Sequence, residues 1–298
     1  MLFTETCSIK INLTLRVLGA REDGYHDIYS LFWRLRSPEA LEISVPSPDD
    51  ELRVTGADIP GENILSRVQR HIRGVCGDGS FPGVSMRLHK LLPVGSGVGA
   101  GSGNAAALLR WFGRVRHATS LGGDVPGMAS LGADVAFLAS GRDLALAHGV
   151  GDLLDGLDGS LPLSAVICFP EWASYTARAY ASLDAYRRAR GMGPPMDEVR
   201  SRVEALSVLN SLRNENKLGI LPNDFISCLS EYESCYNTLY EVFDKNGSIA
   251  WGLCGSGSAC FALFRRKDAG FAIPGLTEAL SREESSRFQW LRQILVVE

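Results

Sequence analysis

From Ile9 to Val17 the apolar positions alternate without a break, as Ile9, Ile11, Leu13, Leu15 and Val17. A period of two predicts a strand with one buried face. It also gathers Lys10, Asn12, Thr14 and Arg16 on the opposite face, which is either solvated or functional. The segment Gly19-Ala-Arg-Glu-Asp-Gly-Tyr-His26 is a turn with Asp23-Gly24 at its tip, and the apolar stretch from Ile28 to Leu35 closes a hairpin. Ile64, Val68 and Ile72 share one face of a helix over 63–73, and a strand follows over 84–89.

Beyond residue 120 the pattern is more broken. A helix-like stretch covers 125–131, Asp134 stands before an apolar run, and Leu144 to Ala147 is apolar. The glycine- and aspartate-rich stretch from Gly149 to Gly159 is the best domain boundary, dividing the chain into 1–155 and 156–298. A buried strand over 163–169, a short helix over 174–183 carrying Tyr175 and Tyr180, and helices over 196–212 and 225–244 come next. Residues 249–264 then form strand, glycine turn, strand.

The least ordinary segment is Pro93, Val94, Gly95, Ser96, Gly97, Val98, Gly99, Ala100, Gly101, Ser102, Gly103 and Asn104, followed from Ala105 by helix-forming residues. Glycines at alternate positions leave backbone N–H groups unobstructed, and a helix start adds about half a positive charge, so the segment suits an anion such as a nucleotide phosphate. No Lys-Ser or Lys-Thr follows the glycines, so it is not a Walker A loop. A dinucleotide fingerprint fits Gly101-x-Gly103-x-x-Ala106 only with a charged strand before it, where that fold needs an apolar one. A flexible connection without a ligand rarely runs straight into an alanine-rich helix. Gly255, Ser256 and Gly257 make a second loop, either phosphate-proximal or an ordinary tight turn.

The 298 residues are 45% hydrophobic and 21% charged with a net charge of −4, the profile of a globular protein with a sizeable core. The acidic balance and scattered Lys and Arg argue against a nucleic-acid partner bound through a basic surface. Seven cysteines in no regular framework fit reduced thiols in a cytoplasm. No secretory signal or membrane span is expected. The five histidines form no metal-ligand cluster, whereas a Mg²⁺ ion arriving with a nucleotide needs only one or two protein oxygens.

Taken in order, Lys10-Ile-Asn12-Leu, Asp23-Gly-Tyr-His26, the 93–104 loop, Leu131-Gly-Ala-Asp134-Val, Gly149-Val-Gly-Asp152, Pro222-Asn-Asp224 and Gly255-Ser-Gly-Ser resemble the GHMP small-molecule kinases. The Asp-Gly-Tyr-His element resembles the branch that phosphorylates the 2-hydroxyl of a cytidine-diphosphate-linked methylerythritol in non-mevalonate isoprenoid precursor synthesis. The resemblance implies an α+β fold of two domains, an N-terminal ribosomal-protein-like domain and a C-terminal ferredoxin-like domain. It implies ATP as phosphoryl donor with Mg²⁺, a small-molecule acceptor, and a monomer or homodimer.

By the same resemblance the loop holds the ATP phosphates while Lys10 and Asp134 flank the reacting hydroxyl. Tyr25 and Tyr180 would stack on the cytosine, His26 would read its edge, and Asn12 and Thr176 would lie near the substrate. A helix cap for Asp134 and a core position for Tyr180 are the structural alternatives. The chain departs from the family where Gly103 replaces a serine, Ala136 a proline and Asp152 a glutamate, and over 187–219 it matches no quoted motif. Leu121-Gly-Gly-Asp124-Val-Pro is a decoy for the Asp134 motif. Another GHMP kinase of homoserine or mevalonate type, or a silent nucleotide-binding sensor, are the rival readings.

Overall fold

The computed structural model describes residues 1–57, 59, 61–76, 82–118, 131–229, 231–281 and 286–297. The helix expected over 125–131, apart from Leu131, and the decoy motif at Leu121 to Pro126 lie outside them.

The alternation at the N-terminus becomes β1 (Leu2–Ala20), joined in a hairpin to β2 (His26–Ser47). The apolar face of β1 is fully buried. On the polar face Lys10, Asn12 and Thr14 are only 5%, 3% and 1% exposed and Arg16 is part-buried, which removes the solvated alternative for the first three. The hairpin turn closes as its sequence predicts: Arg21 N–H donates to Tyr25 O, Gly24 N–H to Arg21 O, and Tyr25 N–H to the Asp23 carboxylate, with Gly24 at φ +83°.

Packing divides the chain into two compact units: 1–10, 34–94 and 99–142, and 11–33, 95–98 and 143–298. Neither is one continuous segment, because β1, β2 and the glycine loop each contribute to both. In the first unit the C-terminal part of β2 pairs antiparallel with β4 (Gly83–His89), and β4 pairs in parallel with β3 (Glu51–Thr55). Helices α1 (Ile64–Cys76), α2 (Ala100–Ala118) and α3 (Ala133–Ser140) complete it. The spacing that predicts α1 also places Val68 and Ile72 in a core with Leu41, Ile43, Met86, Leu108 and Phe112.

In the second unit the N-terminal part of β2 pairs with β5 (Leu144–His148), which pairs antiparallel with β6 (Leu153–Leu157). The stretch expected to link two halves thus carries a strand. A further sheet has the order β11-β7-β10-β9-β8, made of β7 (Leu163–Pro170), β8 (Gly219–Ile220), β9 (Ala250–Leu253), β10 (Cys260–Arg265) and β11 (Leu291–Val297). Every residue of β7 is buried, as a continuous apolar run in a sheet interior requires.

Helices α4 (Thr176–Ala189), α6 (Glu233–Lys245) and α7 (Arg266–Ser281) accompany that sheet, in a core that joins Val166, Leu183, Phe225, Leu239, Phe243, Phe264 and Leu276, and α5 (Glu198–Arg213) lies in the same unit. The helix expected over 225–244 is broken into a 3-10 turn at Asp224–Cys228 and α6. The described residues therefore form an α+β fold of two sheets and seven helices.

Candidate active site

The glycine loop opens with Gly95, Gly97 and Gly99 at φ +73°, +83° and +67°, a region that glycine enters at no steric penalty. Helix α2 then begins at Ala100, five residues before the expected start, with Gly103 N–H donating to Gly99 O at 2.8 Å. Gly101, Ser102 and Gly103 are its first turn, whose N–H groups face the loop end.

Tertiary packing explains both the early start and the missing serine. A Cβ on Gly103 would stand 1.7 Å from the carbonyl oxygen of Ser8 on β1, so only glycine lets the helix approach the strand. Gly103→Ala and Gly103→Ser should each lower stability by about 1–3 kcal/mol, near the top of that range because the obstruction is backbone. Urea midpoints of the two variants check this. Equal losses identify the Cβ as the cause, whereas wild-type stability in the serine variant would show that the strand yields.

Lys10 sits two residues beyond that contact. Helix α3 starts after Gly132, which makes no side-chain cap bond, and Asp134 lies within its first turn without capping it. Instead Asp134 Oδ2 stands 3.5 Å from Lys10 Nζ, with the lysine side chain 6% and the aspartate 27% exposed. A Cβ on Gly99 would be 3.1 Å from Asp134 Oδ2 and 3.5 Å from Lys10 Cγ. The last glycine of the loop therefore abuts the ion pair.

Behind the loop lies a group that the sequence reading missed. Glu39 Oε1 accepts from Leu91 N–H at 3.0 Å and Leu92 N–H at 2.8 Å, the two residues that lead into Pro93. Both Glu39 oxygens accept from Lys90 Nζ, at 2.9 and 3.0 Å, and Oε2 also accepts from Asn104 Nδ2 at 2.8 Å. Asn104 thus faces inward and ties α2 to the strand before the loop. It also donates to Cys7 Sγ, whose thiol is pushed up to about 11 by burial. The only signal for this group was the charge breaking the strand before the loop.

A second missed residue is Asn63. Its Oδ1 caps α1 by accepting from Leu65 N–H at 2.9 Å, while its buried Nδ2 has no partner among the described residues. The next residue, Ile64, lies 4.0 Å from where a Gly101 Cβ would be. The N-cap signal of an asparagine before a periodic apolar run could have found it.

In the second unit Gly97 packs on the second glycine loop, where a Cβ would come within 2.0 Å of Cys254 O and 2.7 Å of Gly257 O. Ala259 N–H donates to Ser96 O, Ser174 N–H to Gly95 O, and Ser174 Oγ to Ser256 O. Asn223 Nδ2 donates to the Leu253 and Gly255 carbonyls. Residues 255–257 thus support the first loop. Asp224 accepts from Arg16, Arg187 and Val17 N–H, and Arg16 forks onto both oxygens of Glu204. The unmatched 187–219 segment supplies two members of this network.

His26 and Tyr180 come together in the same unit, their rings stacked at 4.5 Å and 25°, with Phe225 edge-on to Tyr180 at 4.9 Å. One face of Tyr180 is therefore covered by His26, while Tyr25 is 65% exposed. Asn12 Nδ2 donates to Ser30 Oγ at 2.8 Å, and Thr176 opens α4 in an exposed position.

The family model described as GHMP kinases C terminal matches residues 229–281. A 4-diphosphocytidyl-2-C-methyl-D-erythritol kinase of Chlorobium luteolum is 33% identical over 258 residues, 86% of each chain. The chain belongs to that kinase family. A solved 4-(cytidine 5'-diphospho)-2C-methyl-D-erythritol kinase superposes with a TM-score of 0.72 at 26% identity, covering 99% of this chain and 98% of that one. A homoserine kinase from Cytophaga hutchinsonii, at 15% identity and TM-score 0.64 over 100% of this chain and 94% of its own, shares the fold alone. Among the described residues no helix is long and apolar enough to cross a membrane, and no group of three or more His, Cys, Asp or Glu could hold a metal.

Proposed function

We propose that this chain transfers the γ-phosphoryl group of ATP to the 2-hydroxyl of 4-diphosphocytidyl-2-C-methyl-D-erythritol. The observation that carries this reading is Gly99 against the Lys10–Asp134 pair, a glycine loop ending beside a carboxylate and an ammonium. Family membership supplies the substrate.

Phosphoryl transfer depends on positioning and on stabilising spread charge. Asp134 accepts the hydroxyl proton as the alcohol oxygen bonds to the γ-phosphorus and the bond to the β-phosphate oxygen breaks, releasing ADP. Lys10 orients the hydroxyl and balances the growing charge. The N–H groups of the loop and those of Gly101 and Ser102 at the start of α2 receive the phosphates, and Asn63 Nδ2 offers ATP an unpaired donor.

Mg²⁺ needs only one or two protein oxygens, and Asp134 and Ser102 would be the residues to hold it. When bound it neutralises phosphate charge. Tyr25, His26 and Tyr180 form the cytosine side, with Asn12 and Thr176 near the sugar alcohol. Cys7, Cys168, Cys228, Cys235, Cys254 and Cys260 are free, which supports a cytoplasmic setting.

The test is ADP release by purified protein with Mg-ATP and 4-diphosphocytidyl-2-C-methyl-D-erythritol, run beside homoserine and mevalonate. Turnover with the cytidine compound alone is the expected result. Turnover with either cytidine-free alcohol alone, or ATP binding with no turnover on any acceptor, overturns it.

A further inference from the structure

His26 Nε2 lies 3.0 Å from Asp184 Oδ2, on the same helix as Tyr180. Tyr180 and Asp184 are four residues apart, so α4 presents both on one face. The ring of His26 is thereby fixed twice, in plane by the Tyr180 stack and in rotation by the carboxylate. Its side chain is 9% exposed, and among the described residues Nδ1 has no hydrogen-bond partner.

From this geometry we infer that Asp184 selects cytosine over uracil by fixing the tautomer of His26. A carboxylate oxygen only accepts, so the imidazole proton of neutral His26 resides on Nε2 and Nδ1 carries a lone pair. A lone pair accepts from the 4-amino group of cytosine and opposes the 4-oxo group of uracil. Discrimination then comes as much from the repulsion as from the bond. Asp184 touches no substrate atom in this scheme, so it is a positioning residue. The inference rests on the proposed role of His26 in reading the base.

Asp184→Asn replaces an obligate acceptor with an amide that donates equally well once turned over. His26 is then free to carry its proton on Nδ1, the form that suits uracil. Calorimetric titration of CDP and UDP, with the ATP site filled by a non-hydrolysable analogue, should show the CDP-over-UDP affinity ratio falling roughly 10- to 100-fold in the variant. Asp184→Glu, which keeps an acceptor, should retain more of the ratio than Asn. Nitrogen-15 spectra of wild-type His26 should place the proton on Nε2.

A wild-type preference for CDP with an unchanged ratio in Asp184→Asn overturns the role of Asp184 alone, as does a proton found on Nδ1. A wild-type protein that binds CDP and UDP equally overturns the base-reading role of His26 and this inference with it.

Discussion

Asp134→Asn is expected to lower kcat by ~10² to 10⁴, the usual contribution of a positioned proton acceptor, with little change in KM for ATP or for the acceptor. That loss corresponds to roughly 3–5 kcal/mol of transition-state stabilisation. The amide preserves the shape of the side chain beside Gly99 and removes its basicity. Asp134 caps no helix, but the Lys10 ammonium, 6% exposed, loses its counter-charge, so the unfolding midpoint should fall modestly. Steady-state ADP release and a urea titration of the same preparation check both halves. Full kcat in the variant would show that the carboxylate only positions Lys10, and a large stability loss would return it to a structural role.

Glu39→Ala should produce the largest loss of stability of any substitution near the loop, about 3–5 kcal/mol. The Lys90 and Glu39 side chains are 2% and 0% exposed, so removing the carboxylate strands an ammonium away from water. It also strands the Leu91 and Leu92 N–H groups and the Asn104 amide, all of which donate to Glu39. A stability of 5–15 kcal/mol is typical of a folded protein, so this is a substantial fraction of the whole.

The double variant Glu39→Leu with Lys90→Met removes both charges and should recover only part of the loss, because the backbone donors remain unmet. Urea unfolding of wild type, single and double variants measures the difference. A loss below about 1 kcal/mol in Glu39→Ala would mean that water reaches Lys90. Folded Glu39→Ala should also bind ATP more weakly, since Leu91 and Leu92 lead directly into the glycine loop.

Much of the fold was legible because its signals are local. The alternation over 9–17, the Asp23-Gly24 turn, the apolar run at 163–169 and the four-residue spacing of α1 each fix an element within a few residues of themselves. β3, with two apolar positions in Leu52 and Val54, carried too little pattern to be seen. Helix α7, whose apolar spacing is interrupted by Gly270, Pro274 and Gly275, and the short β11 were not read from the sequence either. The start of α2 was misjudged because glycine has poor helix propensity, and the contact with Ser8, 95 residues earlier, outweighs it.

The sequence by itself singled out Lys10, Asp134 and an alternating glycine loop as the groups of the proposed chemistry, because their motifs are short and keep their order along the chain. Only the tertiary structure decided that Lys10, Asn12 and Thr14 on β1 are buried, that Gly103 is a steric necessity, that Asn104 turns inward to Glu39 and Lys90, and that Asp184 holds His26. Each of these depends on groups distant in the chain being packed together, with the exclusion of water giving a buried charge or an unmet donor its weight. Periodicity along a chain carries no information about such meetings.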